Sequence, residues 1–344
     1  MNILYFGDDS ESSTSFHRAC ALKRLGHKVL IYNPGSVGQR KCTLTSKFHF
    51  HTGYIFLQNN IGIWIKANDL KFGQPDLIWV NGGEYFSTNA LRILRKYSCP
   101  IILYNNDDPT GGRDGNRFNS LLKAIPLYDL CVVMRAENVQ EYYAKGAKSV
   151  LRLMMSYDEL MHKPYDSVDE IPTQFKSEVA FIGTWMRHEK RDEFLLELIK
   201  QGLLVSIWGG RWQKSSYWDE LKKYYRGGSL GGRDYVAAIQ GAKVCLGFLS
   251  KGNRDLHTTR TMEIPYAGGL FCAERTSEHL ELYKEGVEAV YWSDVDECAR
   301  MCKKLLADEV LREDIRLAGM KRVRELGLGH EDICRIILNK VESL

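Results

Sequence analysis

The sequence predicts an α/β protein built as two tandem Rossmann-like, doubly wound domains. Short runs rich in Val, Ile and Leu recur along the chain without polar alternation, separated by amphipathic stretches. That is the pattern of parallel strands covered on both faces by helices. The alternation breaks in DELMHKPYDSVDEIPTQFKS, a charged stretch with two prolines, and then resumes. The length of 344 residues is also about twice the ~150 of an average domain.

Ile3–Phe6 is apolar and reads as the first strand, followed by an amphipathic helix from about Ser15 to Leu25 that Gly26 and His27 end. Lys28–Tyr32 completes a βαβ opening. Further strands are expected at Leu77–Val80, Ile101–Tyr104, Leu130–Val133 and Val150–Met154, with helices at Ser87–Tyr97 and Glu137–Tyr143. Past the break, strands are expected at Val179–Ile182, Leu203–Trp208, Val244–Phe248, Leu270–Ala273 and Ala289–Trp292. Helices are expected at Arg191–Lys200 and Tyr235–Gly241, and charged amphipathic helices run from Val295 to the end. The expected division is a domain over 1–165, a linker over 166–176, a second domain over 177–325, and a C-terminal helix over 326–344 able to pack back toward the first domain. Open α/β sheets bind ligands at the carboxyl ends of their strands, so two of them in tandem imply an interdomain cleft.

Composition excludes several classes. Apolar content of 44% is that of a folded protein, and a net charge of +4 spread over 90 charged side chains is no concentrated basic face for nucleic acid or anionic membrane. Nine cysteines without a C-x-x-C pair fit reduced thiols better than a disulfide framework. Cys298 and Cys302 share a helical face, and with no His or third Cys nearby they read as core. MNILYFGDDS lacks the basic start and cleavage site of a signal peptide, and no apolar stretch reaches the roughly 18 residues that span a bilayer. A cytoplasmic protein without an integral membrane segment is expected.

The richest stretch is KGNRDLHTTRTMEIPYAGGLFCAE, which follows a predicted strand. If a short helix starts near Thr258 or Thr259, its unpaired N–H groups, the threonine hydroxyls, Arg260 and neighbouring His257 can converge on a diphosphate. Glu263, one turn on, can accept hydrogen bonds from two vicinal ribose hydroxyls. The alternative is ordinary helix capping with a surface salt bridge. Pro265, Gly268 and Gly269 favour the first reading, because they end the helix early and let backbone approach a ligand.

The run RTMEIPYAGGLFCAERTSEHLELYKEGVEAVYW, the glycine turns FIGTW and IWGGRW, and NNDDP in the first half resemble glycosyltransferases of the GT-B fold, and most closely their CgeB-like spore-maturation branch. The resemblance implies a metal-independent transferase with no separate cofactor. Its second domain binds a UDP-, GDP- or dTDP-linked sugar, and its first presents the acceptor, whether small molecule, glycan, protein or modified nucleic acid. In retaining members two acidic residues separated by seven others contact the sugar and the ribose. Glu263 matches the second and Asp255 falls at the first, Asp standing for Glu. Such a donor site needs fixed cations for the diphosphate, for which Arg260, Arg187 and Arg191 are candidates, with Gly183 in the turn beside the last two. Gly209 and Gly210 allow backbone to approach the nucleobase, beside Arg211 or Trp212. Should the reaction invert the sugar, His17, Asp8, Asp9 and Asp107 are candidate bases.

Asp107 and Asp108 are adjacent on an extended chain and so point apart, which argues against a shared metal ion. The glycine-rich stretches TGGRDGNR and YYRGGSLGGRD fit no phosphate-loop motif and read as flexible loops. The aromatic and basic residues from Trp208 to Arg226 read as packing on an amphipathic helix, with a nucleic-acid surface as the alternative. Two other functions fit the same layout: a nucleotide-sugar epimerase, and a non-catalytic nucleotide-binding or structural spore or envelope factor. Retention or inversion and oligomeric state stay open.

Overall fold

The computed structural model describes residues 1–37 and 43–344. They form two units. The first is Met1–Met154 with Gly252–Arg254 and His330–Leu344, and the second is Met155–Lys251 with Asp255–Gly329.

The first unit runs β1 (Asn2–Phe6), α1 (Thr14–Arg24), β2 (Lys28–Tyr32), α2 (Thr43–His51), α3 (Gln58–Ala67), α4 (Asp69–Phe72), β3 (Leu77–Asn81), α5 (Thr88–Leu94), β4 (Ile101–Asn105), α6 (Asn119–Ala124), β5 (Leu130–Val133), α7 (Ala136–Ala144) and β6 (Val150–Arg152). All pairings are parallel, in the order β2-β1-β3-β4-β5-β6. Strand alternation sorts the side chains. Leu4, Phe6, Ile78, Val80 and Leu103 join Ile61, Ile65, Leu91 and Leu94 in one core. On the other face Tyr5, Trp79 and Tyr104 stack at 6.0 and 5.9 Å between ring centroids. Ser13 caps α1 by accepting the Phe16 N–H at 3.0 Å. Gly26, at φ +86°, ends that helix as its sequence predicts, since a left-handed residue lets the following N–H groups reach back to Lys23 and Leu22.

The second unit runs β7 (Ser177–Ile182), α8 (Arg191–Lys200), β8 (Val205–Trp208), α9 (Trp218–Leu221), β9 (Tyr225–Gly227), α10 (Gly232–Gln240), β10 (Ala242–Gly247), α11 (Thr259–Tyr266), β11 (Phe271–Glu274), α12 (Ser277–Leu282), β12 (Val290–Trp292), α13 (Val295–Ala307) and α14 (Glu309–Glu325). Its parallel sheet has the order β12-β11-β10-β7-β8-β9. The last helix, α15 (His330–Glu342), lies in the first unit, where Glu331 meets Arg24 of α1 at 2.6 Å.

The division falls at Met154, ahead of the stretch expected as a linker. Residues 158–177 instead fasten onto the second unit: Tyr165 N–H donates to Gln240 Oε1 at 2.7 Å, and Gln240 Nε2 donates back to the Tyr165 carbonyl at 3.0 Å. Tyr157 stacks on Tyr266 at 3.9 Å. The aromatic stretch after Trp208 is not one amphipathic helix. It is a turn, the four-residue α9 and β9, with Trp218 set edge-on to Tyr225 at 5.3 Å, so the aromatics pack on one another.

The cysteine expectation is corrected. A third thiol does stand beside Cys298 and Cys302: Cys272 of β11, with all three sulfurs within 4.8 Å of one another. They are buried in the second unit's apolar core, and no His, Asp or Glu joins them among the described residues. Strand-to-helix proximity of this kind leaves no trace in sequence spacing. Among the described residues no helix is long and apolar enough to cross a membrane.

Candidate functional site

Parallel strands deliver all their carboxyl ends to one edge of a sheet, and ligands bind where the strand order reverses. In the second unit, whose order is that of dinucleotide-binding sheets, the reversal lies between β7 and β10. The turns found there are the ones singled out from sequence. Gly183 follows β7, and its carbonyl accepts the Trp212 indole N–H at 2.9 Å. Gly209 follows β8 at φ +142°, where a Cβ would lie 2.0 Å from the Gly183 oxygen. Only glycine fits there. Gly210 accepts the Trp185 N–H at 2.9 Å, which laces the two turns together. Arg211, at φ +68°, is exposed beside them.

The helix expected after β10 is α11, and it begins where the sequence places it. Thr258 is its N-cap, with its N–H donated to Thr261 Oγ1 at 3.0 Å. Arg260 Nε reaches the Ile182 carbonyl at 3.4 Å, which sets the α11 N-terminus against the end of β7. Thr259, Arg260 and Thr258 are partly exposed there. Glu263 is only 2% exposed. Its Oε2 accepts from Arg260 Nη1 at 2.6 Å and from the Tyr235 hydroxyl at 2.7 Å, and its Oε1 lies 3.8 Å from His162 Nε2. Burial works against the charge, but Arg260, His162 and the Tyr235 hydroxyl hold the carboxyl below its ordinary value.

Other candidates take different positions. Arg191 is buried, and its Nη1 and Nη2 donate to the carbonyls of Thr184 and Leu249 at 3.0 and 2.9 Å. It therefore braces the β7 turn against the β10 turn across the reversal, and the expectation of a diphosphate contact is corrected to this bracing role. Arg187 is exposed in the β7 turn. His257 is corrected in the same way. It is 2% exposed, its Nε2 accepts the Met155 N–H at 2.9 Å, and Nδ1 therefore carries the proton donated to Glu278. Asp255 is 8% exposed, with its N–H on the Ser250 carbonyl at 3.4 Å.

In the first unit the reversal lies between β1 and β3, the switch point of flavodoxin-like 2-1-3-4-5 sheets. A polar pocket of about 400 Å³ opens there, formed by the turns after β1, β2, β3 and β4 and the start of α1. Asp8 and Asp107 line it, joined by Glu84. Asp8 ties Oδ1 to the Ser10 N–H and hydroxyl at 3.0 and 2.8 Å, which leaves Oδ2 for a ligand. Asn105 is 1% exposed and joins two turns, donating to the Gly82 carbonyl at 2.8 Å and accepting the Asp107 N–H at 2.7 Å. Arg117 contacts Glu84, Asp107 and Asp114 at 3.1, 3.2 and 3.1 Å.

Asp9 and His17 do not line this pocket. Asp9 holds the Asn33 amide at 2.7 Å, and His17 is 5% exposed with Nε2 on the Glu11 carbonyl at 2.8 Å, so neither is placed as a base for a molecule bound there. Asp107 and Asp108 diverge, although the chain after β4 bends at Asp107 and turns at Pro109 where an extended run was expected. Asp108 turns inward to Arg254, whose Nε and Nη2 meet its two oxygens at 2.6 and 2.7 Å, while Arg254 Nη1 reaches Glu141 at 2.8 Å. The TGGRDGNR stretch is held by Arg117 and by the Gly111 N–H on Asp108 Oδ1 at 3.1 Å. Tyr235, His162 and Asn81 were not singled out from sequence, and Arg254 stood out there without its partners, because those partners lie far along the chain.

Two doubly wound parallel sheets of six strands, in these orders, define the GT-B architecture of glycosyltransferases. Residues 187–327 match the family described as Glycosyl transferase-like, so most of the second unit is a glycosyltransferase-like domain. The fold as a whole is similar to sucrose-phosphate synthase from Thermosynechococcus elongatus, with TM-score 0.71 and 12% identity over 99% of this chain and 98% of that one. It is similar to Anabaena Alr3699/HepE in complex with UDP, with TM-score 0.68 and 12% identity over 100% of both chains. The HepE complex with UDP-glucose gives TM-score 0.67 and 14% identity over 100% of both chains. No curated protein matches the sequence.

Proposed function

We propose that the protein is a GT-B glycosyltransferase, related to the CgeB-like branch and acting in the cytoplasm. It would take a sugar from a UDP-linked donor bound on the second unit and pass it to an acceptor bound on the first. The observation that carries this reading is the α11 N-terminus. Thr258, Thr259, Arg260 and Glu263 sit together at the reversal of a sheet with dinucleotide-binding order, inside the segment matching the glycosyltransferase-like family. The binding of UDP and UDP-glucose by HepE, which has the same fold, supports uridine among the possible nucleotides.

In this reading the unpaired N–H groups of α11 and the Arg260 guanidinium face the diphosphate. They stabilise the charge that develops as the nucleotide leaves, without a metal ion. Glu263 Oε1 takes the ribose hydroxyls, while Arg260 and Tyr235 hold the carboxylate in place through Oε2. Asp255 stands toward the sugar, and Gly209 and Gly210 admit the base beside Arg211. Asp8 or Asp107 serves as the acceptor's base if the sugar is inverted.

Titration calorimetry with UDP, GDP and dTDP tests this. UDP is expected to bind, and Glu263→Ala to weaken it about 10- to 100-fold, the loss of one or two hydrogen bonds to a charged group. Unchanged affinity in a variant that melts like the wild type removes the ribose assignment.

A further inference from the structure

The first unit's pocket presents a strongly biased set of groups. Three carboxylates line it, and no Lys, Arg or His does so among the described residues. The Arg117 guanidinium, which meets two of these carboxylates, is already divided among Glu84, Asp107 and Asp114. A second guanidinium, Arg18, lies beneath the floor. It is 1% exposed, 3.7 Å over the Tyr104 ring, and it gives Nη1 to Asn81 Oδ1 at 2.7 Å.

That last contact settles the orientation of Asn81. Arginine is a donor only, so the atom facing it is the amide oxygen. The Tyr5 hydroxyl lies 3.0 Å from the same oxygen. That hydroxyl has one proton, shared between this oxygen and the Ser15 carbonyl at 2.9 Å. With Arg18 holding the oxygen from below, the Asn81 amide keeps its two N–H groups for the pocket it lines. Asp8 Oδ2, Asp107 and Glu84 supply acceptors on the other walls. Asn106 adds an acceptor, since its Oδ1 is buried without a hydrogen-bond partner. Tyr85 supplies an apolar wall, its ring packed on Tyr54 at 4.6 Å. Fixed donors facing carboxylates, with one aromatic face, match a molecule whose every hydroxyl both donates and accepts and whose ring has a C–H face. The three carboxylates repel an anion, and among the described residues no side-chain cation is free to oppose them, which leaves a phosphate only the backbone amides at the start of α1.

We propose that the pocket at the β1/β3 reversal binds an uncharged, polyhydroxylated acceptor, a neutral sugar, and discriminates against phosphorylated sugars through Asp8, Glu84 and Asp107. This rests on the reading of the first unit as the acceptor side. The volume of about 400 Å³ is at the low end of ligand pockets, which run from roughly 300 to 1,000 Å³, and suits one or two sugar rings. Asn81 contacts the sugar, and Arg18 is a positioning residue that acts through it.

Saturation-transfer NMR on the full chain tests this with glucose, mannose and N-acetylglucosamine, each paired with its 6-phosphate, and with UDP titrated separately. At least one neutral sugar is expected to bind, about tenfold or more tighter than its 6-phosphate. Glu84→Gln combined with Asp107→Asn should narrow that gap. Asn81→Asp keeps an oxygen on Arg18 but replaces the N–H groups with an acceptor, and should abolish the neutral-sugar signal while UDP binding and melting temperature hold. A 6-phosphate that binds as tightly as its parent, or no signal from any neutral sugar, overturns the proposal. If UDP binding fails while a neutral sugar binds, the donor reading falls and this one stands.

Discussion

Glu263 and Glu141 show how single carboxylates are held in this protein. Glu263 has almost no contact with water and survives as a charge because Arg260, Tyr235 and His162 surround it. Glu141 is more open. Its hydrogen bonds to Arg254 hold its carboxyl down to about 2, against an ordinary value of 4.5. The unfolded chain therefore takes up that proton first as acid is added. Glu141 contributes its full stabilisation above pH 4.5 and loses it as pH falls toward 2. Equilibrium unfolding by urea is expected to show a wild-type decline across that window that is shallower in Glu141→Gln, while slopes that coincide would contradict the Arg254 pairing. Thr258, Arg260 and Glu263 were legible in the sequence because one helical turn brings them together. Arg254 and Asp108 were not, since their contact spans 146 positions and only the folded chain creates it.

Among elements, every strand but β9 lies within two residues of its expected ends, because burial on both faces forces continuous apolar runs. The second strand and the α8 helix have their expected bounds. Among those that escaped are β9, with three residues, α2, whose TLTSKFHFH alternates Phe and His every second position, and the ten-residue α3, whose buried Ile61 and Ile65 lie one turn apart. Tertiary packing decides such segments, as where the Arg117 guanidinium lies 5.3 Å from the Phe50 ring. The glycine turns were legible as turns, but not the reason for them. Gly209 is required by the oxygen of Gly183, one strand over. Gly209→Ala is expected to cost on the order of 1–3 kcal/mol in denaturant unfolding, the usual size of backbone strain, and to weaken UDP. Gly112→Ala, at φ +81° but with nothing near its Cβ, should cost less. Equal costs at the two positions would place the penalty in the dihedral alone and not in the close approach.

For the molecule as a whole, the tandem α/β layout was legible from the repeated alternation and its single break. The different strand orders of the two sheets were not, because strand neighbours are set by crossovers that the sequence does not display. Those orders place one reversal at Gly183 and the α11 N-terminus, and the other at the carboxylate-lined pocket beside Asn81. A crystal structure of the full chain with UDP tests the account most directly. It predicts the ribose hydroxyls on Glu263, the diphosphate against the Arg260 guanidinium and the Thr259 and Arg260 amides, and the base beside Gly209 and Gly210. UDP bound instead in the Asp8–Asp107 pocket, or bound without touching Glu263 or Arg260, would contradict it.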